Sequence, residues 1–166
     1  MSKEPGARWC ELFFLKSTLK SCMERFVVPI QIRWSDIDQN RHLRHSAYYD
    51  YGALVRMQFL NSHGLTTDKM EELRIGPILF REEALFKREI RLEDKIFIDV
   101  EIVSARGDFS RWSLRHTFAK DDGTTAATIN LDGAWLDLSR RKLAQPPEFV
   151  KAIFRAFPQS GDFTIG

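Results

Sequence analysis

The sequence predicts an α+β domain in which an antiparallel sheet of five to six strands wraps around one long central helix. Three observations carry this. The segment from about His45 to Ser62 is apolar over most of its circumference at helical spacing, so it needs cover on several sides. The chain beyond it reads as strands, apart from a short C-terminal helix. Strand and helix do not alternate, which argues against a parallel α/β sheet.

Residues 1–22 read as an N-terminal extension. Its first eight residues are a loose end, and Trp9, Leu12, Phe13, Leu19 and Met23 then recur at roughly helical spacing. The extension is expected to be dispensable, with a single domain over 23–166. Phe26 to Trp34 is β-branched and aromatic and reads as a strand, in which Pro29 points to a sheet edge or to a start just after it. A polar stretch follows, and then the long helix, ending at Gly64. Tyr48, Tyr51, Val55, Gln58 and Phe59 lie along one side of it; Tyr49, Ala53, Leu54, Met57 and Leu60 cover much of the rest.

Ile78 to Ile90 reads as a long strand, with Asp94 at a turn. Ile96, Ile98, Val100 and Ile102 then alternate with their neighbours at period two. After a turn at Arg106-Gly107-Asp108, Trp112, Leu114, His116 and Phe118 do the same. Asp121-Asp122-Gly123 signals a hairpin into Thr124–Leu138, with a bulge expected at Gly133. Pro146-Pro147 opens the C-terminal helix, Glu148 to Phe157. Such an open sheet leaves an edge strand unpaired, a problem that dimerisation solves.

Composition narrows the function. Hydrophobic residues make up 43% and charged residues 29% of 166, a globular profile. Net charge is only +2, so no nucleic-acid partner is expected. No apolar run reaches the length of a membrane span. Cys10 and Cys22 make neither a disulfide framework nor a four-ligand zinc site, and a reduced, cytoplasmic setting is expected.

The chemically capable side chains crowd into one segment: Asp36, Asp38, Asn40, His42, His45 and Tyr48 fall between the first strand and the helix. The first N–H groups of a helix have no internal partner and suit a developing oxyanion. A carboxylate just upstream can attack a carbonyl there or activate water. Asp36-Ile37-Asp38 also has the D-x-D form of a metal site, but no calcium-loop pattern follows. His42 and His45 with Asp38 lack a further ligand, so no metal is expected. On local chemistry alone, an Asp capping the helix and histidines that merely hydrogen-bond are equally open.

The stretch RWSDIDQNRHLRHSAYYDY resembles the helix-entry motif of hotdog-fold thioesterases of the 4-hydroxybenzoyl-CoA and acyl-ACP type. Arg33, Trp34, Asp36, Asp38, His42 and Tyr48 sit in register with it, and Asp38, Asn40 and His42 match the D-x-N-x-H of the plant acyl-ACP branch. The segment LFKREIRLEDKIFIDVEIVSARGDFSRWSLRHTF extends the likeness, which spans roughly Met23 to Pro147. Arg44-His45 stands where the family often has Asn-Asn, and a frequent mid-helix Glu is replaced near Gly52-Ala53.

The resemblance implies an acyl-CoA or acyl-ACP thioesterase. Asp38 would be general base or nucleophile, Asn40 would hold water or the carbonyl, and His42 would assist proton transfer or orient the loop. The backbone N–H near His45 would bind the oxyanion, and Tyr48 and Glu89 would contact substrate. Asp36 is expected to be structural, bonding the loop or Arg33. The resemblance implies no cofactor beyond the substrate's own coenzyme A or acyl carrier protein. It implies a homodimer or homotetramer with the site at the subunit boundary. The alternative is a non-catalytic hotdog module that binds an acyl ligand or simply dimerises.

Overall fold

The computed structural model describes residues 25–166, so the extension 1–22 lies outside the described residues. In chain order the elements are β1 (Val27–Ile30), a 3-10 turn (Trp34–Asp36), α1 (His45–Ser62), α2 (Thr67–Glu72), β2 (Ile75–Phe86), β3 (Ile96–Asp99), β4 (Glu101–Ala105), β5 (Arg111–Lys120), β6 (Thr125–Asp137), β7 (Lys142–Leu143), α3 (Glu148–Arg155) and β8 (Gln159–Ile165).

The β5–β6 hairpin forms the middle of one sheet. β2 pairs along the far side of β6. β3 and β4 pair along the far side of β5, with β1 beyond β3. All these pairs are antiparallel; β8 alone is parallel, against β4. The eight strands exceed the five or six that the sequence leads to. Ile96–Ala105, one alternating run in the sequence, is interrupted at Val100, and β7 and β8 are short additions.

Other boundaries shift for identifiable reasons. The first strand stops at Ile30 rather than Trp34. β2 starts three residues early and ends at Phe86, because Lys87 and Arg88 both donate their N–H to the Ala126 carbonyl (2.8 and 2.9 Å) and the ladder cannot continue. The irregularity expected at Gly133 falls on the partner strand, where the register shifts between Leu79 and Arg81. Gly133 is required for another reason: a Cβ there would lie 2.3 Å from the Trp112 ring. The short helix α2, capped by Thr66 Oγ1, and β8 are additions to the sequence reading.

The 18 residues of α1 keep the bounds that the periodicity gives. Its cover differs from expectation. Ala47, Tyr48, Tyr51, Gly52, Val55, Phe59 and Leu60 are buried along one stripe, whereas Leu54 is 44% exposed and Tyr49, Ala53 and Met57 are half-buried. One sheet meets one side of a cylinder, and the rest of this apolar helix stays partly open. At its C-terminal end Phe59 stacks on Phe157 at 3.8 Å, and Phe154 of α3 packs between Trp112 and Trp135.

Candidate active site

The segment that joins the first strand to α1 is built around Asp36. Its side chain is fully buried. It accepts hydrogen bonds from Arg33 Nε (2.9 Å) and Nη2 (3.2 Å), from Tyr51 OH (2.5 Å) and from Arg44 Nη2 (3.4 Å). The Arg33 bonds, helped by Tyr51 and Arg44 against the cost of burial, hold the carboxyl down to about 2. Its backbone takes part as well, since Arg44 N–H donates to the Asp36 carbonyl at 2.8 Å. Asp36 is therefore the strut of the loop, with Arg33 as a partner, as the sequence reading expects.

Asp38 opens the turn of a small hairpin, next to the Ile37–Leu43 bridge that closes it. Its N–H donates to the His42 carbonyl (2.8 Å), and Arg41 turns the chain with φ +64°. Asp38 Oδ1 accepts the N–H groups of Asn40 (2.8 Å) and His42 (3.1 Å). The side chain is nevertheless exposed, and Oδ2 has no hydrogen-bond partner among the described residues. One oxygen thus fixes the loop and the other faces outward. The Asn40 side chain is exposed and His42 is half-buried.

Leu43 N–H donates to the Ile90 carbonyl at 2.7 Å, which ties this hairpin to the segment after β2. Two residues on, α1 begins. Its N-cap residue Arg44 makes no side-chain cap; Ala47 N–H donates to the Arg44 carbonyl at 3.0 Å, and the N–H groups of His45 and Ser46 have no partner among the described residues. His45 is the first helical residue and its ring is exposed.

Tyr48, one turn further, is buried, with its ring 4.9 Å from Phe86 and 5.2 Å from Phe118. Burial pushes its hydroxyl up to about 12, and the negative charges of Asp38, Asp94 and Glu89 add to the effect. Glu89 is exposed and held below its ordinary range by its own backbone N–H, with help from Arg91, His42 and Lys120. The structure therefore brings Asp38, His42, Tyr48 and Glu89 to one corner. Two members escape the sequence reading: Asp94 and Lys120, which pair at 2.7 Å. They meet because Ile96 lies opposite Lys120 in the β3–β5 register.

A second polar cluster lies along α1. Arg56 Nη1 donates to Glu82 Oε1 of β2 (2.9 Å) and lies 3.2 Å from His116 Nε2 of β5. His116 is fully buried, and its Nδ1 is 2.7 Å from the Asp99 carbonyl. Burial, with the Arg56 charge beside it, pulls the imidazole down to about 3, so it is neutral. Its inward position is visible in the alternation Trp112, Leu114, His116, Phe118; its partners are not. Asp99 itself is pushed up to about 6 by burial, although Thr117 N–H bonds it at 2.7 Å. Among the described residues no group of three or more His, Cys, Asp or Glu side chains could hold a metal ion.

The helix N-terminus carries no side-chain cap, an exposed carboxylate lies upstream of it and the sheet packs behind the helix, an α+β arrangement. The sequence profile of the thioesterase-like superfamily matches residues 32–154, well over half of the chain, and the chain belongs to that superfamily of hotdog-fold proteins. Comparison with curated protein sequences found no match. Solved structures share the fold. A hypothetical protein from Staphylococcus aureus, characterised in complex with CoA, superposes with a TM-score of 0.78 at 23% identity, over 86% of this chain and 90% of that one. A 1,4-dihydroxy-2-naphthoyl-CoA thioesterase from Synechocystis gives 0.71 at 14% identity, over 79% and 96%. A thioesterase from Thermus thermophilus, complexed with coenzyme A and Zn, gives 0.63 at 25% identity, over 78% and 92%.

Proposed function

We propose that this protein is an acyl-thioester hydrolase that acts on acyl-CoA or acyl-ACP. The observation that carries the reading is the Asp38 carboxylate, held by its own loop at Oδ1 and exposed, a few residues upstream of an uncapped helix N-terminus. In the reaction the carboxylate takes a proton from water. The water oxygen bonds to the thioester carbon, and the carbonyl oxygen gains a negative charge that the first-turn N–H groups near His45 stabilise. Collapse of this intermediate breaks the C–S bond, and the sulfur leaves with the proton from Asp38. Direct attack by the carboxylate is the nucleophilic form of the same chemistry, with water then cleaving the anhydride.

Asn40 holds water or the carbonyl at the loop, His42 assists proton transfer or orients the loop, and Tyr48 and Glu89 line the substrate side. The reaction drawn here requires only water, the carboxylate and backbone donors beside the carrier that the substrate brings. The protein works in the cytoplasm as a homodimer or homotetramer. The outer edge of β2 supports that assembly: among the described residues β2 pairs only with β6, and Leu79, Phe80, Leu85 and Phe86 along it are exposed. Among the described residues no helix is long and apolar enough to cross a membrane.

Release of free thiol from a panel of short, long and aromatic acyl-CoAs and acyl-ACPs tests the activity. Release from at least one is expected; release from none would leave an acyl-binding module. Sedimentation at micromolar concentration tests the assembly, and a monomer would contradict it.

A further inference from the structure

Arg44 joins the buried strut of the loop to the first turn of α1. Its backbone does this at two points. Its N–H donates to the Asp36 carbonyl at 2.8 Å, and its own carbonyl accepts the Ala47 N–H at 3.0 Å. Its side chain repeats the connection. Nη2 donates to Asp36 Oδ1 (3.4 Å) and lies 3.6 Å from Asp50 Oδ2 of the helix, while Nη1 donates to Ser46 Oγ. One residue is thus tied by main chain and side chain to Asp36 on one side, and by main chain and side chain to the helix on the other.

The groups between these anchors are the N–H groups of His45 and Ser46, which have no partner among the described residues. They belong to the two peptides that follow Arg44. The first of these peptides has the Arg44 carbonyl as its other end, and Ala47 fixes that carbonyl. A peptide is planar, so fixing its carbonyl fixes the direction of its N–H. Ser46, which carries the second N–H, is held through its hydroxyl. The far end of the clamp is firm, because Asp36 is fully buried and is bonded by Arg33 and Tyr51 as well. Donors aimed in advance at a developing negative charge stabilise it without reorganisation.

We infer that Arg44 is a positioning residue: it clamps the entry of α1 to Asp36 and so keeps the His45 and Ser46 N–H groups aimed at the substrate's carbonyl oxygen. This rests on the acyl-thioester reading above and assigns the residue that holds its oxyanion site in place. The role needs no contact between Arg44 and substrate, since both terminal nitrogens of the guanidinium are engaged in the clamp. It needs a fork, because the two nitrogens bond to different elements, the loop and the helix.

The test compares the natural protein with Arg44→Ala and with Ser46→Ala, which removes only the helix end of the side-chain bridge. The probe is a CoA ketone in which a methylene group replaces the thioester sulfur, so that it cannot be hydrolysed. Its acyl group is the one released fastest in the panel above, or octanoyl if none is released, and an isotope label isolates its carbonyl stretch in the infrared. Bound to the natural protein, the carbonyl should absorb at lower frequency than in buffer. Arg44→Ala should lose most of that shift and Ser46→Ala part of it. Per folded molecule, measured by urea unfolding, Arg44→Ala should lower kcat for thiol release about ten- to a hundredfold with KM little changed. A shift that folded Arg44→Ala preserves, or that Ser46→Ala preserves should Arg44→Ala not fold, would overturn the inference and leave the hydrolase reading standing. So would an unchanged kcat per folded Arg44→Ala molecule. A natural protein that does not bind the ketone, or binds it without a shift, would overturn the inference together with the oxyanion role of the helix N-terminus. A shift that depends on Arg44 in a protein that releases no thiol would overturn the hydrolase reading and keep this one.

Discussion

Asp36→Asn separates the strut of the loop from its chemistry. The substitution keeps the size of the side chain and removes the charge that Arg33, Arg44 and Tyr51 all address. Hydrogen bonds to a buried charged group are worth more than neutral ones, so a loss of about 2–3 kcal/mol is expected at neutral pH. The pH dependence is the sharper signature. The folded carboxyl is held at about 2, below its ordinary 3.8. A depressed carboxylate contributes stability that is present in full above the unfolded value and is lost as pH falls through the folded one. The shift amounts to about 2 kcal/mol, an upper figure because Arg33 is largely exposed. Urea unfolding of both proteins at pH 6, 4, 3 and 2.5 measures it. The stability gap between them should be constant down to about pH 4 and shrink by about 1–2 kcal/mol toward pH 2.5. A gap that stays constant to the lowest pH would refute the charged, multiply bonded Asp36.

Other consequences follow from single contacts. Gly133→Ala would drive a methyl into the Trp112 ring and should cost about 1–3 kcal/mol or more in thermal or urea unfolding; an unchanged midpoint would contradict the close approach. His116 should stay neutral and keep its Nδ1 proton on the Asp99 carbonyl from pH 8 down to pH 5, and a nitrogen chemical shift that titrates near 6.5 would contradict it. As its folded value lies below its unfolded one, this histidine lowers stability as pH drops through about 6.5. His42→Ala should reduce thiol release by less than Asp38→Asn and by more than Asp36→Asn, in steady-state assays corrected for folded fraction.

The loop chemistry was legible because it is local. Asp38, Asn40 and His42 lie within one tight hairpin, and Arg33 bonds Asp36 three residues away, so spacing alone suggests the geometry. Contacts made by strand register were not legible. Lys120 reaches Asp94 across the β3–β5 pair, and Arg56 meets His116 60 residues away. The cover of α1 was overestimated because its apolar residues run round the helix, while a single sheet buries one stripe of them. β8 escaped because Gln159–Ile165 has almost no apolar alternation; its pairing with β4 and the bond from Gly107 N–H to the last carbonyl hold it through the backbone.

The central claim is that Asp38 carries thioester hydrolysis. Asp38→Asn is the cleanest variant, because its amide oxygen can still accept the Asn40 and His42 N–H groups that shape the loop. The measurement is free-thiol release by the natural protein and this variant on the best acyl thioester, with urea unfolding to confirm equal folding. The account predicts a loss of about two to four orders of magnitude in rate at nearly unchanged stability. An Asp38→Asn protein that keeps most of the activity, while Asp36→Asn abolishes it, would contradict the account.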